Sequence, residues 1–329
     1  MLRILHDTNY DFIRWWKVMA VITVAFILLG LGSLAIKPPN YAIEFTGGTL
    51  MQLEFTQPPD VGEIRSTLDQ SGVHGAEIQQ FGTNREFTVR AQNREAVAAQ
   101  SAGAENIAVT IEQVLKKKFG ENNVRVVRTE AVGPRVGGEL RRGAVIAILL
   151  SFLITLIYLS IRFEWRFAAA AVIATSHDVF TTIAFLKLMH LEISLTVVAG
   201  LLTVLGYSLN DTIIIFDRVR ENLRKGRKET LYETLNRSIN ETLPRSILTH
   251  ATTLAATLAL LFFAGEVIRP FAWVMAFGII TGTFSSIYVA APVLLWIERK
   301  WPRKTGARQS SSTAMPTSQT RRSPATATR

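Results

Sequence analysis

The stretch ISLTVVAGLLTVLGYSLNDTIIIF, residues 193–216, decides the class of this chain. A bilayer's hydrocarbon core, about 30 Å thick, asks for about 20 apolar residues of helix, and this run supplies them. Yet it carries a carboxylate, Asp211, beside Asn210. A charged side chain deep in a membrane helix costs roughly 2.5–3.5 kcal/mol on insertion scales, so it is rarely there without a partner or a task. Asp217 and Arg218 mark the water boundary. At about 1.5 Å of rise per residue, Asp211 lies about 9 Å inside that boundary. A carboxylate there sits between desolvation, which disfavours its charge, and any nearby cation, which favours it. Such a group can take up and release a proton.

Working outward, five more apolar runs emerge among the 329 residues, 48% of which are hydrophobic. The full set covers about 18–36, 143–161, 167–187, 193–217, 246–264 and 271–297. The expected fold class is a polytopic α-helical membrane protein with six transmembrane helices. The net charge of +10 does not point to nucleic acid, because the basic residues cluster beside the ends of the runs. Arg14 and Lys17 precede the first run, Arg162 and Arg166 separate the second from the third, Arg218, Arg220 and Arg224 follow the fourth, and Arg299 and Lys300 follow the sixth. Cytoplasmic loops carry such an excess. All four clusters agree with one alternating topology, with both termini inside and 37–142, 188–192 and 265–270 outside. Ser33-Leu34-Ala35 resembles a signal-peptide cleavage site. The run before it is longer than a usual signal core, and the charge bias fits only if it stays, so residues 18–36 are read as an uncleaved anchor after a cytoplasmic N-terminus, 1–17.

Residues 37–142 form one exported insertion. Leu50–Phe55 alternates as a strand does, and Pro58-Pro59-Asp60 opens a helix through Leu68. Ala76–Phe81 and Glu86–Arg90 read as strands joined by a Gly82-Thr83-Asn84-Arg85 turn. Ile107, Ile111, Val114 and Leu115 mark a second helix, and Val124–Val132 a last strand. The order βαββαβ predicts an α+β ferredoxin-like domain, a fold that says nothing by itself about chemistry. Helices two to six occupy 143–304, interrupted by a short basic loop, 218–245, helical in pattern. Its Val219, Leu223, Leu231, Leu235 and Ile239 suggest an interfacial amphipathic element, with a solvated connector as the alternative. Residues 305–329, rich in Ser, Thr, Ala, Pro and Arg, cannot bury enough surface to fold and read as a disordered tail attracted at most to lipid headgroups.

Besides Asp211 and Asn210, two groups stand out inside the membrane. Leu243-Pro244-Arg245 is read as the start of helix five, since Pro suits a first helical turn. Thr249 then lies at about the depth of Asp211, and Asp211–Arg245 is the expected ion pair; the alternative is an Arg245 that snorkels to the interface. His177-Asp178 falls near the middle of helix three. Successive helical residues point about 100° apart, so the two are not expected to face one partner. A structural hydrogen bond and a place in a proton route are equal alternatives for them. Gly200, Gly206, Gly278 and Gly282 are expected to permit close helix approach. There is no cysteine, no phosphate-cradling loop, no paired-His motif and no nucleophile elbow. The chain is expected to be no enzyme and to need no cofactor or metal.

Several segments resemble the SecF subunits of the SecD/SecF protein-export family, within the resistance–nodulation–division (RND) superfamily. They are Asp11-Phe12-Ile13-Arg14-Trp15, Phe45-Thr46-Gly47-Gly48-Thr49, Val132-Gly133-Pro134, Arg162-Phe163-Glu164-Trp165-Arg166, His177-Asp178-Val179, Gly206-Tyr207-Ser208-Leu209-Asn210-Asp211-Thr212, Phe216-Asp217-Arg218-Val219-Arg220-Glu221-Asn222, Thr252-Thr253 and Gly282-Thr283-Phe284-Ser285-Ser286. The resemblance runs in order over about 9–300. It implies an RND-type half-bundle in the bacterial inner membrane that pairs with SecD and works beside the SecYEG channel, with YajC and YidC as further candidate neighbours. It implies that proton flow powers late steps of preprotein export. The family's membrane acid and its basic partner fall on Asp211 and Arg245, with Ser246 kept beside the latter. His250-Ala251 stands where the family usually has Ser-Gly, so His250 is expected to perturb the proton site. The rival reading is an RND-type exporter of small molecules or lipids, which usually fuses two such halves with two exported domains. A non-transporting scaffold of the channel is a third.

Overall fold

The computed structural model describes residues 8–91, 102–225, 229–265 and 267–302; the tail 305–329 lies outside the described residues. Among the described residues, six helices are long and apolar enough to span a membrane, as expected. The first is α1 (Trp16–Ile36), entered through a 3₁₀ turn at Ile13–Trp15. After it come a one-turn helix, α2 (Ile43–Thr46), and a small α+β unit: β1 (Gly48–Phe55), α3 (Val61–Gln70), β2 (Glu77–Gln80), β3 (Glu86–Ala91), α4 (Ala102–Phe119) and β4 (Val124–Val132). The remaining spans are α5 (Pro134–Arg162), α6 (Trp165–Leu188), α7 (Leu195–Arg224), α8 (Leu231–Phe263) and a last rod made of α9 (Arg269–Ser285), a π turn (Ser286–Ala290) and α10 (Ala291–Lys300).

The strands form an antiparallel sheet in the order β2-β3-β1-β4, the split βαβ arrangement expected from the element order. Asp60 caps α3 by accepting from the Gly62 amide at 3.1 Å. The alternation of β1 sends Met51, Leu53 and Phe55 into a core with Ile64, Leu68, Phe87, Val89, Ile111 and Leu115. Its other face, with Leu50 and Gln52, lines a cleft of about 960 Å³ above the membrane helices. The double glycine before β1 has a local cause. Gly47 and Gly48 have φ of 73° and 130°, a region that side chains avoid, and the start of α5 passes so close that a Cβ on Gly137 would lie 3.0 Å from the Gly47 nitrogen.

The sheet domain is fastened to the α6–α7 connection. Ala42 donates to the Ile193 carbonyl at 2.9 Å, and Ile193 donates to Asn40 at 2.7 Å. Arg90 of β3 pairs with Glu192 of that connection and, at 3.4 Å, with Glu77. Domain and connection therefore share one end of the bundle, in agreement with an alternating topology. Arg90→Leu is expected to remove about 1.5–3 kcal/mol of charge-assisted bonding and to speed amide hydrogen exchange at Ile193 by roughly tenfold or more.

The opposite end gathers the basic clusters that the structure describes. Arg162 meets Asp217, and Arg166 meets Glu298. The Tyr10 amide donates to Asn240 at 2.9 Å, and the Phe12 amide donates to Asn236 at 3.0 Å. The N-terminal segment thus lies along the first half of α8.

Three expectations about boundaries are corrected. The segment 218–245 is mostly helix, as its pattern indicated, but it is no separate connection: α7 continues to Arg224 and α8 begins at Leu231. A capping box starts α8 early, with Thr230 accepting from Glu233 N and Glu233 accepting from Thr230 N at 2.8 Å. Pro244 is accordingly inside α8, where packing against neighbouring helices tolerates it, and opens nothing. Helix two begins at Pro134 because Pro suits a first helical position. The last rod is broken by the π turn, which comes just before Pro292. A proline ring clashes with the carbonyl four residues back, and a wider turn relieves that clash.

Candidate functional site

Four helices bring their polar residues to one depth of the bundle. Asp211 projects from α7 into the core, and only 3% of it is exposed. Ser246 of α8 donates to its Oδ1 at 2.5 Å, and Ser286 of the π turn donates to its Oδ2 at 2.7 Å. Each carboxylate oxygen therefore has a hydroxyl from a different helix. Such bonds to a charged acceptor contribute about 1.5–3 kcal/mol each, which offsets part of the cost of burying the acid.

A second acid lies one turn away on the neighbouring helix. Asp178 of α6 is fully buried. Its Oδ2 accepts from Ser208 of α7 and, at 2.6 Å, from Ser285 of α9. Its Oδ1 is 3.0 Å from Nδ1 of His177, whose Nε2 is buried without a hydrogen-bond partner. His177 and Asp178 were not expected to face one partner, and they do not: Ser208 and Ser285 bond Asp178 alone. His177 still meets Asp178 because the imidazole folds back over its neighbour, while the carboxylate alone reaches α7 and α9.

The expected Asp211–Arg245 ion pair is not formed among the described residues. Arg245 is exposed on α8, and Ser246, about 100° further round, occupies the place facing Asp211. Asn210 is likewise exposed, since the turn of α7 that buries Asp211 points its neighbour outward. Thr249 is half-buried and spends its hydroxyl on the Arg245 carbonyl at 2.9 Å. Its own carbonyl accepts from Tyr207 at 3.2 Å. His250 is buried, with its ring 5.2 Å from that of Tyr207 and its Nδ1 unpartnered.

Ser208, Ser285 and Ser286 were not singled out as site residues from the sequence. The available signal was a pair of adjacent hydroxyls, Ser285-Ser286, inside an apolar span. Close packing lets them reach across. A Cβ on Gly282 would lie 3.1 Å from Ser208 Cβ, and one on Gly278 would lie 2.2 Å from Val204 Cγ2. Gly200 is tight as well, at 3.0 Å from Val274. Gly206 is corrected: nothing lies within 4 Å of its would-be Cβ.

Residues 110–300 match the family described as "Protein export membrane protein SecD/SecF, C-terminal", and residues 32–59 match the SecD/SecF GG motif. The protein translocase subunit SecF of Gemmatimonas aurantiaca is 60% identical over 305 residues, covering 92% of this chain and 91% of that protein. SecF of Vibrio alginolyticus is 43% identical and covers 88% of this chain and 90% of that protein. The crystal structure of SecDF from Thermus thermophilus, described as a translocon-associated membrane protein, superposes with a TM-score of 0.79 at 35% identity over 91% of this chain. A SecDF structure in a super-membrane-facing form gives 0.65 at 36% identity over 90% of this chain. This chain spans 40% of the length of each SecDF chain. With its six membrane-length helices and one sheet domain, the chain is a multi-pass membrane protein of the SecD/SecF family and belongs with the SecF protein translocase subunits.

Proposed function

We propose that this chain is the accessory subunit which, joined to SecD, uses the proton motive force to assist late stages of preprotein export through the SecYEG channel. The observation that carries the proposal is Asp211, a buried acid whose two oxygens are held by serines of two other helices. A carboxylate so placed can exchange a proton and has two hydroxyl routes by which to do it. A proton crossing the membrane potential yields about 2.3 kcal/mol per 100 mV, and repacking of α7, α8 and the π turn around Asp211 is where that energy would become motion. Asp178, His177, Asn210 and Thr249 are assigned to the same proton route: the acid bonds Ser208 and touches His177, Asn210 is on the exposed side of α7, and Thr249 is one turn from Arg245 on α8.

A six-helix half-bundle resembles one part of a pseudo-two-fold transporter, and the SecDF relatives are longer than this chain by such a part. Largely exposed apolar faces of α1 and α5, such as Leu28 and Leu29 or Leu149 and Leu153, leave room for lipid and for SecD. Arg245, on the outer face of α8 beside Ser246, would supply the guanidinium of the proton path in the assembled complex. The basic residues gathered at one end of the bundle support a cytoplasmic position for that end and for both termini, in a bacterial inner membrane. The sheet domain would then face the outside, where an emerging preprotein passes.

Two measurements test this. Tagged protein purified gently from its native membrane is expected to bring SecD and the channel into one eluate; their absence would favour an independent exporter. Arg245→Met is expected to preserve that assembly and gradient-independent export, while abolishing the stimulation of export by a proton gradient. Normal gradient-driven export by both Arg245→Met and Asp211→Asn would overturn the proton-relay role.

A further inference from the structure

Ser285 and Ser286 are consecutive, yet each serves a different buried acid. Ser285 donates to Asp178 on α6 at 2.6 Å, and Ser286 donates to Asp211 on α7 at 2.7 Å. A second link runs along α7, where Ser208 bonds Asp178 and Asp211 follows one turn later. The two acids therefore share two mechanical connections, one peptide unit of the last rod and one turn of α7. Both are fully or nearly fully buried. The serines themselves are buried too: Ser285 and Ser286 are 0% exposed and Ser208 is 1% exposed. The peptide unit between the serines is also where the α-helix gives way to the π turn. Such turns occur often at functional sites and hold one residue more than the flanking helix. Gly282, against Ser208 Cβ at 3.1 Å, keeps α7 and α9 close enough for these bonds.

We infer that Asp178 is a positioning residue for Asp211: through Ser285, Ser286 and the π turn, the protonation state of one acid sets the hydrogen bonding of the other. The inference rests on the proposed role of Asp211 and deepens it. An ionised carboxylate only accepts, whereas a protonated one also donates. When Asp178 gains a proton on Oδ2, the oxygen that accepts from both serines, one of them must turn or withdraw. Where Ser285 withdraws from Asp178, the movement reaches Ser286 through the peptide unit they share; a turn of its hydroxyl alone toward the Gly282 carbonyl, 3.2 Å away, does not carry it. The hydroxyl on Asp211 then shifts, and its affinity for a proton shifts with it. Two ionisable groups linked in this way titrate as a pair. The other titratable side chains of the packed elements nearest this depth are His177 on α6, Tyr207 on α7, Arg245 and His250 on α8, and Tyr288 in the π turn; Tyr158 on α5, Asp217 and Arg218 on α7, and Arg237 and Glu241 on α8 lie toward the basic end, and α1 and α9 carry only Lys17 and Arg269 at their starts. Of these, only His177 touches Asp178.

The test is infrared difference spectroscopy of the full chain reconstituted in lipid, following the C=O band of protonated Asp211 with pH. The band is assigned by its loss in Asp211→Asn. Asp178→Asn and Ser285→Ala are each expected to move its midpoint in the same direction, by about one pH unit for the former. Their combination is expected to move it no further than Asp178→Asn alone. Ser285→Ala removes an oxygen that never touches Asp211, so a merely structural role would change thermal stability and leave the midpoint in place. That result overturns the inference, as does an additive double variant or an Asp211 band that does not titrate. Should Asp178→Asn fail to accumulate, Ser285→Ala against the unaltered chain decides the matter. Normal gradient-driven export in Asp211→Asn would instead remove the proton-relay reading, while the linkage between the two acids would still register in the spectra.

Discussion

In inverted membrane vesicles containing the assembled complex, Asp211→Asn is expected to export preprotein at the same rate with and without a proton gradient. Asn keeps the size of Asp and can still accept from Ser246 or Ser286, so the bundle should fold and bind its partner. What it loses is the exchangeable proton. Each elementary charge moved through 100 mV supplies about 2.3 kcal/mol, equivalent to roughly a fiftyfold bias in an equilibrium. The gradient-dependent part of export should vanish, and the gradient-independent part should remain. The comparison is made at equal amounts of co-purified SecD, so that lost assembly is not mistaken for lost coupling. Retained stimulation by the gradient in this variant would rule out Asp211 as the site of proton exchange.

The largest loss of stability is expected from Gly30→Val. Gly30 lies on α1 where that helix crosses α6. A Cβ there would sit 2.2 Å from Ala184 Cβ and 2.6 Å from Ala184 Cα. The second of these is backbone, so no side-chain rotation relieves the clash, and the helices must separate. Overpacking costs about 1–3 kcal/mol and occasionally more; contact with backbone puts this site at the upper end. The expected readout is a clear fall in the midpoint of thermal aggregation in detergent, with lower accumulation in the membrane. Gly32→Ala and Gly206→Ala serve as controls, since nothing lies within 4 Å of either would-be Cβ. Each should fall within about 0.5 kcal/mol of the unaltered chain.

The contrast between these glycines shows where sequence patterns stop. Gly206 was singled out beside Gly200, Gly278 and Gly282, but it faces open space. Gly30 stands in an unremarkable apolar run and makes the closest approach to backbone. Helix crossing points depend on which faces meet, and periodicity in one helix does not tell which partner lies opposite. Charge pairing failed for a similar reason. Thr249 was placed at the depth of Asp211, with Arg245 a turn nearer the end and long enough to reach; it is Ser246, next to Arg245, that meets Asp211. Rotation about α8 chose the serine over the arginine. The start of α8 was misplaced because Pro244 looked like a first-turn residue, whereas the capping box at Thr230 had already set the helix going.

Read residue by residue, the chain already declares its class: six apolar spans, the βαββαβ order of the inserted domain, and acids that are costly to place among them. Those follow from local free energies of transfer and from side-chain period, which each segment carries alone. Only the tertiary structure decided which groups the acids touch. It seated two adjacent serines on two different carboxylates, turned Arg245 and Asn210 outward and folded His177 back onto Asp178. Such choices depend on the rotation and crossing of helices distant in sequence, and close packing of all of them together settles those angles.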